Sequence, residues 1–171
     1  MTVRFCLSLV SLILFSAPAR TAPLERRLRM YHTHTGERID IVYRRGETYL
    51  PAALGQLSHF LRDHRTGEVH LYDPRVFDVL ADLLAAVGDP GGELQIICGY
   101  RTPWSNQFLR SHTSGVAEHS LHMQAEAIDI RVAGVSTLAL RNAALKLGRG
   151  GVGYYPKSNF IHVDVGRVRR W

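Results

Sequence analysis

Apolar residues recur along this chain at two spacings, and each spacing predicts its own kind of element. Alternation with a period of two marks strands. Arg26 to Val42 alternates weakly on either side of Thr35-Gly36, which predicts two strands joined as a hairpin. Leu94 to Cys98 is almost wholly apolar and predicts a central strand. From Ala127 to Val132, Ile128, Ile130 and Val132 take one face and Asp129 the other. Near the C-terminus Ile161, Val163 and Val165 face a core while His162 and Asp164 share the opposite face. Spacings of three and four residues predict helices. Pro51 opens one that carries Leu54, Leu57, Leu61 and His64 before Gly67 ends the segment. Asp73 caps a second, with Pro74 in its first turn, Val76, Phe77, Leu80, Leu83, Leu84 and Val87 as its apolar stripe, and Gly88 as its stop. Thr102 and Pro103 begin a third, and Ser136 caps a fourth that runs through Leu147 to Gly148.

The first residues stand apart from this pattern. Arg4 followed by the apolar run Phe5 to Phe15 and small residues at Ala17-Pro18-Ala19 and Ala22 reads as a secretory signal over 1–22. The run is short for a membrane span. One domain, 23–171, then remains of the 171 residues. Cys98 is its sole cysteine, which excludes an internal disulfide and reads as a small buried residue. The formal charge of +6 favours anionic surroundings: nucleic acid, anionic lipid or an acidic wall polymer. No basic stripe interleaved with aromatics points to nucleic acid, and the domain is expected to be a monomer with no stable membrane insertion.

Candidate chemistry gathers in two segments, Ser120 to Ile130 and Phe160 to Gly166. They offer His122, Asp129, His162 and Asp164, ingredients of a zinc site that also fit ordinary solvated alternation. His122 and Asp129 would stand roughly 10 Å apart on a straight helix and roughly 23 Å apart on a straight strand. To meet, they need a turn, and Met123 to Glu126 supplies the residues for it. Were the two strands neighbours, Asp129 and His162 would meet on the polar face. Arg101 falls between a strand end and a helix N-terminus, where a guanidinium can hold a carboxylate or oxyanion, or make a structural ion pair. His119 has no partner at ligand spacing, and His32 with His34, an i, i+2 pair that on a strand can bind metal, reads as an exposed edge pair. Gly150-Gly151-Val152-Gly153 lacks the lysine and hydroxyl of a phosphate loop and reads as close packing.

Taken in order, Gly99-Tyr100-Arg101-Thr102, Ser120-x-His122 with Ala127-x-Asp129, Gly151-Val152-Gly153-Tyr154-Tyr155-Pro156 and His162-Val163-Asp164 resemble the YcbK-like (DUF882) branch of the M15 zinc peptidases. The likeness covers Leu28 to Trp171. It implies an α+β fold, helices packed on a largely antiparallel sheet, shared with D-alanyl-D-alanine peptidases and hedgehog domains. It implies one Zn²⁺ per chain on His122, Asp129 and His162, and Arg101 stabilising the transition state. It also implies hydrolysis of peptidoglycan stem peptides or cross-links by a metal-activated water, in a periplasmic or secreted protein. Two positions depart from the family. Its turn glycine is Ala125 here, and Asn159 stands where many members carry their base. Asp164 is therefore the expected base, its other role being to orient His162. The alternative is a weak or inactive wall-binding module of the same fold.

Overall fold

The computed structural model describes residues 24–113 and 115–171, so the expected signal at 1–22 lies outside the described residues. Eight strands form one sheet: β1 (Glu25–His32), β2 (Arg38–Arg45), β3 (Thr48–Tyr49), β4 (Glu93–Cys98), β5 (Ala127–Val132), β6 (Gly151–Tyr155), β7 (Phe160–Asp164) and β8 (Arg169–Arg170). Their spatial order is β3-β2-β1-β4-β5-β7-β6-β8. β1 with β4 and β6 with β8 run parallel, and every other pair is antiparallel. The helices are α1 (Pro51–Phe60), α2 (Pro74–Ala86), α3 (Pro103–His112) and α4 (Thr137–Leu147). The fold is α+β, four helices on a mixed and mostly antiparallel sheet.

Each element forms where its pattern says. Asp73 accepts from Arg75 N, Thr102 from Ser105 N and Ser136 from Ala139 N, so three helices begin on a side-chain cap. Gly88 and Gly148 lie past helix ends at positive φ, a backbone that suits glycine. The stripe Val76, Phe77, Leu80, Leu83 and Leu84 is buried against Leu28, Met30, Leu94, Ile96, Ile128, Ile130 and Ile161 from the sheet. That core takes one sheet face, so the residues between Ile128 and Ile130, and between Ile161 and Val163, are left to the other. α1 stops at Phe60, earlier than its spacing predicts. Leu61 is its C-cap and still packs in the core, whereas His64 lies in the following loop.

β1 is an interior strand, and this corrects the reading of His32 and His34 as an edge pair. His32 is fully buried, edge-on to Phe60 with ring centroids 5.8 Å apart, while His34 is exposed and stacks on His64 at 4.1 Å. Nδ1 of His32 accepts from His34 N, and its Nε2 finds no partner. Burial, helped by His34, lowers the His32 pKa to about 4 from 6.5. The unfolded chain therefore takes up this proton at a higher pH than the folded one. Stability is expected to fall as pH drops from 6.5 towards 4 and to level off below, His32 contributing about 2–3 kcal/mol to the loss. Urea unfolding at pH 7 and pH 4 checks this: His32→Phe should lose that part of the difference, and an unchanged difference would exclude it.

Candidate metal centre

Three local structures converge on the polar face of the sheet. The first is the end of β4. Gly99 follows it so close to Leu61 that a Cβ would overlap the Leu61 carbonyl oxygen, and Gly99 O accepts from His122 Nδ1 at 2.7 Å. Arg101 N donates to His122 O at 3.2 Å, so the strand end and the His122 segment hold each other. The second is a single 3-10 turn, Leu121–Gln124, capped by Ser120 and closed by Ala125 at φ 53 and ψ 38. Alanine pays for this left-handed backbone, and its fully buried methyl offsets part of the cost. The turn reverses the chain, so that β5 brings Asp129 back beneath His122. The third is β7, where antiparallel register sets His162 directly opposite Asp129.

The three side chains meet as a triangle of donor atoms. His122 Nε2 lies 3.1 Å from Asp129 Oδ1 and 3.1 Å from His162 Nδ1, and His162 Nδ1 lies 2.9 Å from Asp129 Oδ1. Outer hydrogen bonds fix both rings. His122 Nδ1–H donates to Gly99 O, and His162 Nε2–H donates to Asp164 Oδ2 at 3.1 Å. In their neutral forms both rings thus turn a lone pair inward, toward a carboxylate oxygen. Three acceptors this close repel one another unless a cation or a proton lies among them. Tetrahedral bonds of about 2 Å place neighbouring ligand atoms about 3.3 Å apart, and this triangle nearly has that spacing. The residues present fit a zinc ion.

Charge reinforces the arrangement. Burial pushes the Asp129 carboxyl up, but His122 and His162 outweigh it and hold the group well below the usual carboxylate range. Burial lowers the pKa of His122. Burial also opposes charge on His162, yet contacts with Asp129 and Asp164 raise it overall.

Cys98 is a fourth donor that its sequence context did not reveal. Cys98, His122 and Asp129 each bring a ligand atom within 4.8 Å of the others. Ile96 pairs with Ile130 but Cys98 pairs with Asp129, so Ile97 is an extra residue, and this bulge sets Cys98 beside Asp129. Burial pushes its thiol up to about 12, so without a metal it is protonated.

The remaining predicted residues fall around the triangle. Asp164 lies behind His162 and has no exposed side-chain surface. Its oxygens also accept from Gly151 N at 2.8 Å, Gly166 N at 2.9 Å and both terminal nitrogens of Arg169. Burial raises its pKa, but the hydrogen bonds with His162, Arg169 and Gly151 N outweigh that and hold it well below the usual range. The glycine run packs here as read: a Cβ on Gly150 would overlap the carbonyl oxygen of Asp164. Arg101 is buried beside the triangle, with Nη2 3.9 Å from Asp129 Oδ2 and an Nε that has no partner. Asn159, left-handed at φ 52, turns its Oδ1 to Thr137 Oγ1 at 2.6 Å. His119 sits exposed on the rim of the cleft.

A cleft of about 390 Å³ opens over these residues, walled by α3 and the loop after it, by Tyr155, Phe160 and Trp171, and at the far end by His34, His64 and Arg65. Among the described residues its lining holds the arginines 65, 101 and 169 and a single carboxylate side chain, that of Asp129. An open cleft over two imidazoles and a carboxylate with their donors turned inward defines a metallohydrolase-like site.

Comparison with known proteins gives the family. Residues 20–171 match the family model Peptidase_M15_2, described as peptidoglycan L,D-endopeptidase MepK. The chain is 40% identical over 151 residues to the probable peptidoglycan L,D-endopeptidase MepK of Haemophilus influenzae, covering 88% of this chain and 81% of that protein. It is 39% identical over 151 residues to the peptidoglycan L,D-endopeptidase MepK of Escherichia coli K12, covering 88% and 82%. The chain belongs to this family of M15 metallopeptidases, as the order of its motifs suggested.

Proposed function

We propose that the protein is a zinc-dependent endopeptidase of the cell envelope that hydrolyses an L,D-peptide bond in cross-linked peptidoglycan. The observation that carries this reading is the donor triangle, whose two inward lone pairs and carboxylate oxygen lie 2.9 to 3.1 Å apart. His122 Nε2, Asp129 Oδ1 and His162 Nδ1 would hold the zinc, with the Cys98 thiol beside them. When bound, the ion supplies a Lewis acid that polarises a carbonyl and acidifies water. The chain's own residues do the rest. Gly99 O and Asp164 Oδ2 fix the two imidazoles by accepting their outer N–H groups. Arg101 lines the cleft, where its guanidinium can meet an oxyanion or a substrate carboxylate. The arginine-lined cleft suits stem peptides that carry free carboxylates. The expected leader at 1–22 and the basic net charge agree with work at an anionic wall.

One observation favours a second reading, a wall-binding module without turnover. Among the described residues Asp129 is the one carboxylate side chain lining the cleft, and Asn159 faces Thr137, so neither provides a free base. Incubating the purified protein with zinc and cross-linked muropeptides separates the two. The endopeptidase reading expects split products, identified by mass, that a chelator suppresses. Wall binding with no split product under any metal would establish the module instead.

A further inference from the structure

Asn106 joins the cleft's arginine to the cleft's rim. It lies in the second turn of α3 and is buried. Its Oδ1 accepts from Arg101 Nη1 at 3.1 Å. Its Nδ2 donates to two consecutive carbonyls of the rim loop, Ala117 O at 3.0 Å and Glu118 O at 3.3 Å. Every polar atom of the amide is thereby used, and each fixes something different. α3 is itself anchored: Asp63, fully buried, accepts from Thr102 N and Thr102 Oγ1, both at 2.8 Å, at the helix start. The amide therefore sits on a rigid base.

We infer that Asn106 is a positioning residue for the reaction. It sets the direction of the Arg101 guanidinium and holds the wall formed by Val116, Ala117 and His119 at a fixed distance from it. Arg101 needs such a support. Its backbone is tied to His122, and among the described residues its side chain has a close hydrogen bond to Asn106, a longer ionic contact with Asp129 and the Cys98 thiol as a neighbour. Without the Oδ1 acceptor the guanidinium is free to swing toward Asp129. Nη1 is engaged by Asn106 and Nη2 lies near Asp129, so the guanidinium that lines the cleft is held from both terminal nitrogens, while Nε is buried without a hydrogen-bond partner among the described residues. The inference rests on the reading of Arg101 given above.

The test is a double-mutant cycle on the zinc-loaded enzyme with cross-linked muropeptide as substrate. Arg101→Ala is expected to lower kcat about 100-fold. Asn106→Leu is expected to lower it about 10-fold in the wild-type background. In the Arg101→Ala background it should have almost no further effect, because the group it positions is gone. Equal fold-losses in both backgrounds would overturn the inference, since a purely structural role multiplies through. Asn106→Asp is the second arm. It keeps an acceptor for Arg101 but turns an oxygen on the two loop carbonyls in place of the donor, so kcat should fall less than in Asn106→Leu while KM rises. A fall in kcat matching that of Asn106→Leu would count against the inference. Zinc content should remain at one per chain in all variants. Absence of turnover in the wild type would instead refute the assignment as an endopeptidase.

Discussion

Asp129→Asn is expected to abolish stoichiometric zinc binding and, with it, hydrolysis of cross-linked muropeptides to below detection. Two neutral imidazoles and one carboxylate form the triangle, so this residue supplies its only negative charge. Asparagine is nearly the same size and retains an oxygen, which keeps the packing but removes the charge that balances a divalent ion. The amide also adds an N–H group within about 3 Å of two inward lone pairs, and it can satisfy one of them without metal. The variant should therefore fold, with metal-free stability close to that of the parent. Metal analysis after chelator-free purification, urea unfolding and product mass spectrometry check the three parts. Full zinc occupancy in Asp129→Asn would remove the triangle as the metal site.

Much of this centre could be read from residue order, because alternation states which face a side chain takes. Ile128 and Ile130 required Asp129 to point away from the core, and Ile161 and Val163 did the same for His162. Alternation does not say which strands are neighbours. The pairing of Asp129 with His162 comes from antiparallel register across 33 residues of chain, and the motif order supplied it only through family likeness. Counting by twos also fails wherever a residue is inserted, and the bulge at Ile97 is why Cys98 looked like plain core. The end of α1 was misplaced because Leu61 and His64 continue its spacing in sequence while the chain has already left the helix. The surroundings of Asp164 were the least legible. Its partners are backbone amides of Gly151 and Gly166 and a guanidinium from Arg169, none of which carries a pattern that points to it.

Those partners decide what replacing Asp164 should do. A general base needs a pKa near the working pH and reach to the proton that it removes. Asp164 is held well below the usual carboxylate range, has no exposed surface and contacts His162 on the ring edge opposite the triangle. These features suit a carboxylate that fixes a ring, the second of its two expected roles. Asp164→Asn keeps an acceptor and the shape, but weakens the hold on Nε2–H and unbalances Arg169. The expected result is a loss of about 10- to 100-fold in zinc affinity, the usual cost of removing such a partner. At saturating zinc, kcat should recover to within about tenfold of wild type. Competition with a chromogenic chelator gives the affinity, and turnover across a zinc titration gives kcat. If Asp164 were instead the base, affinity would hold while kcat fell about 100- to 10,000-fold at every zinc concentration. The two roles thus separate along one titration, since orientation is regained by mass action and a missing proton acceptor is not.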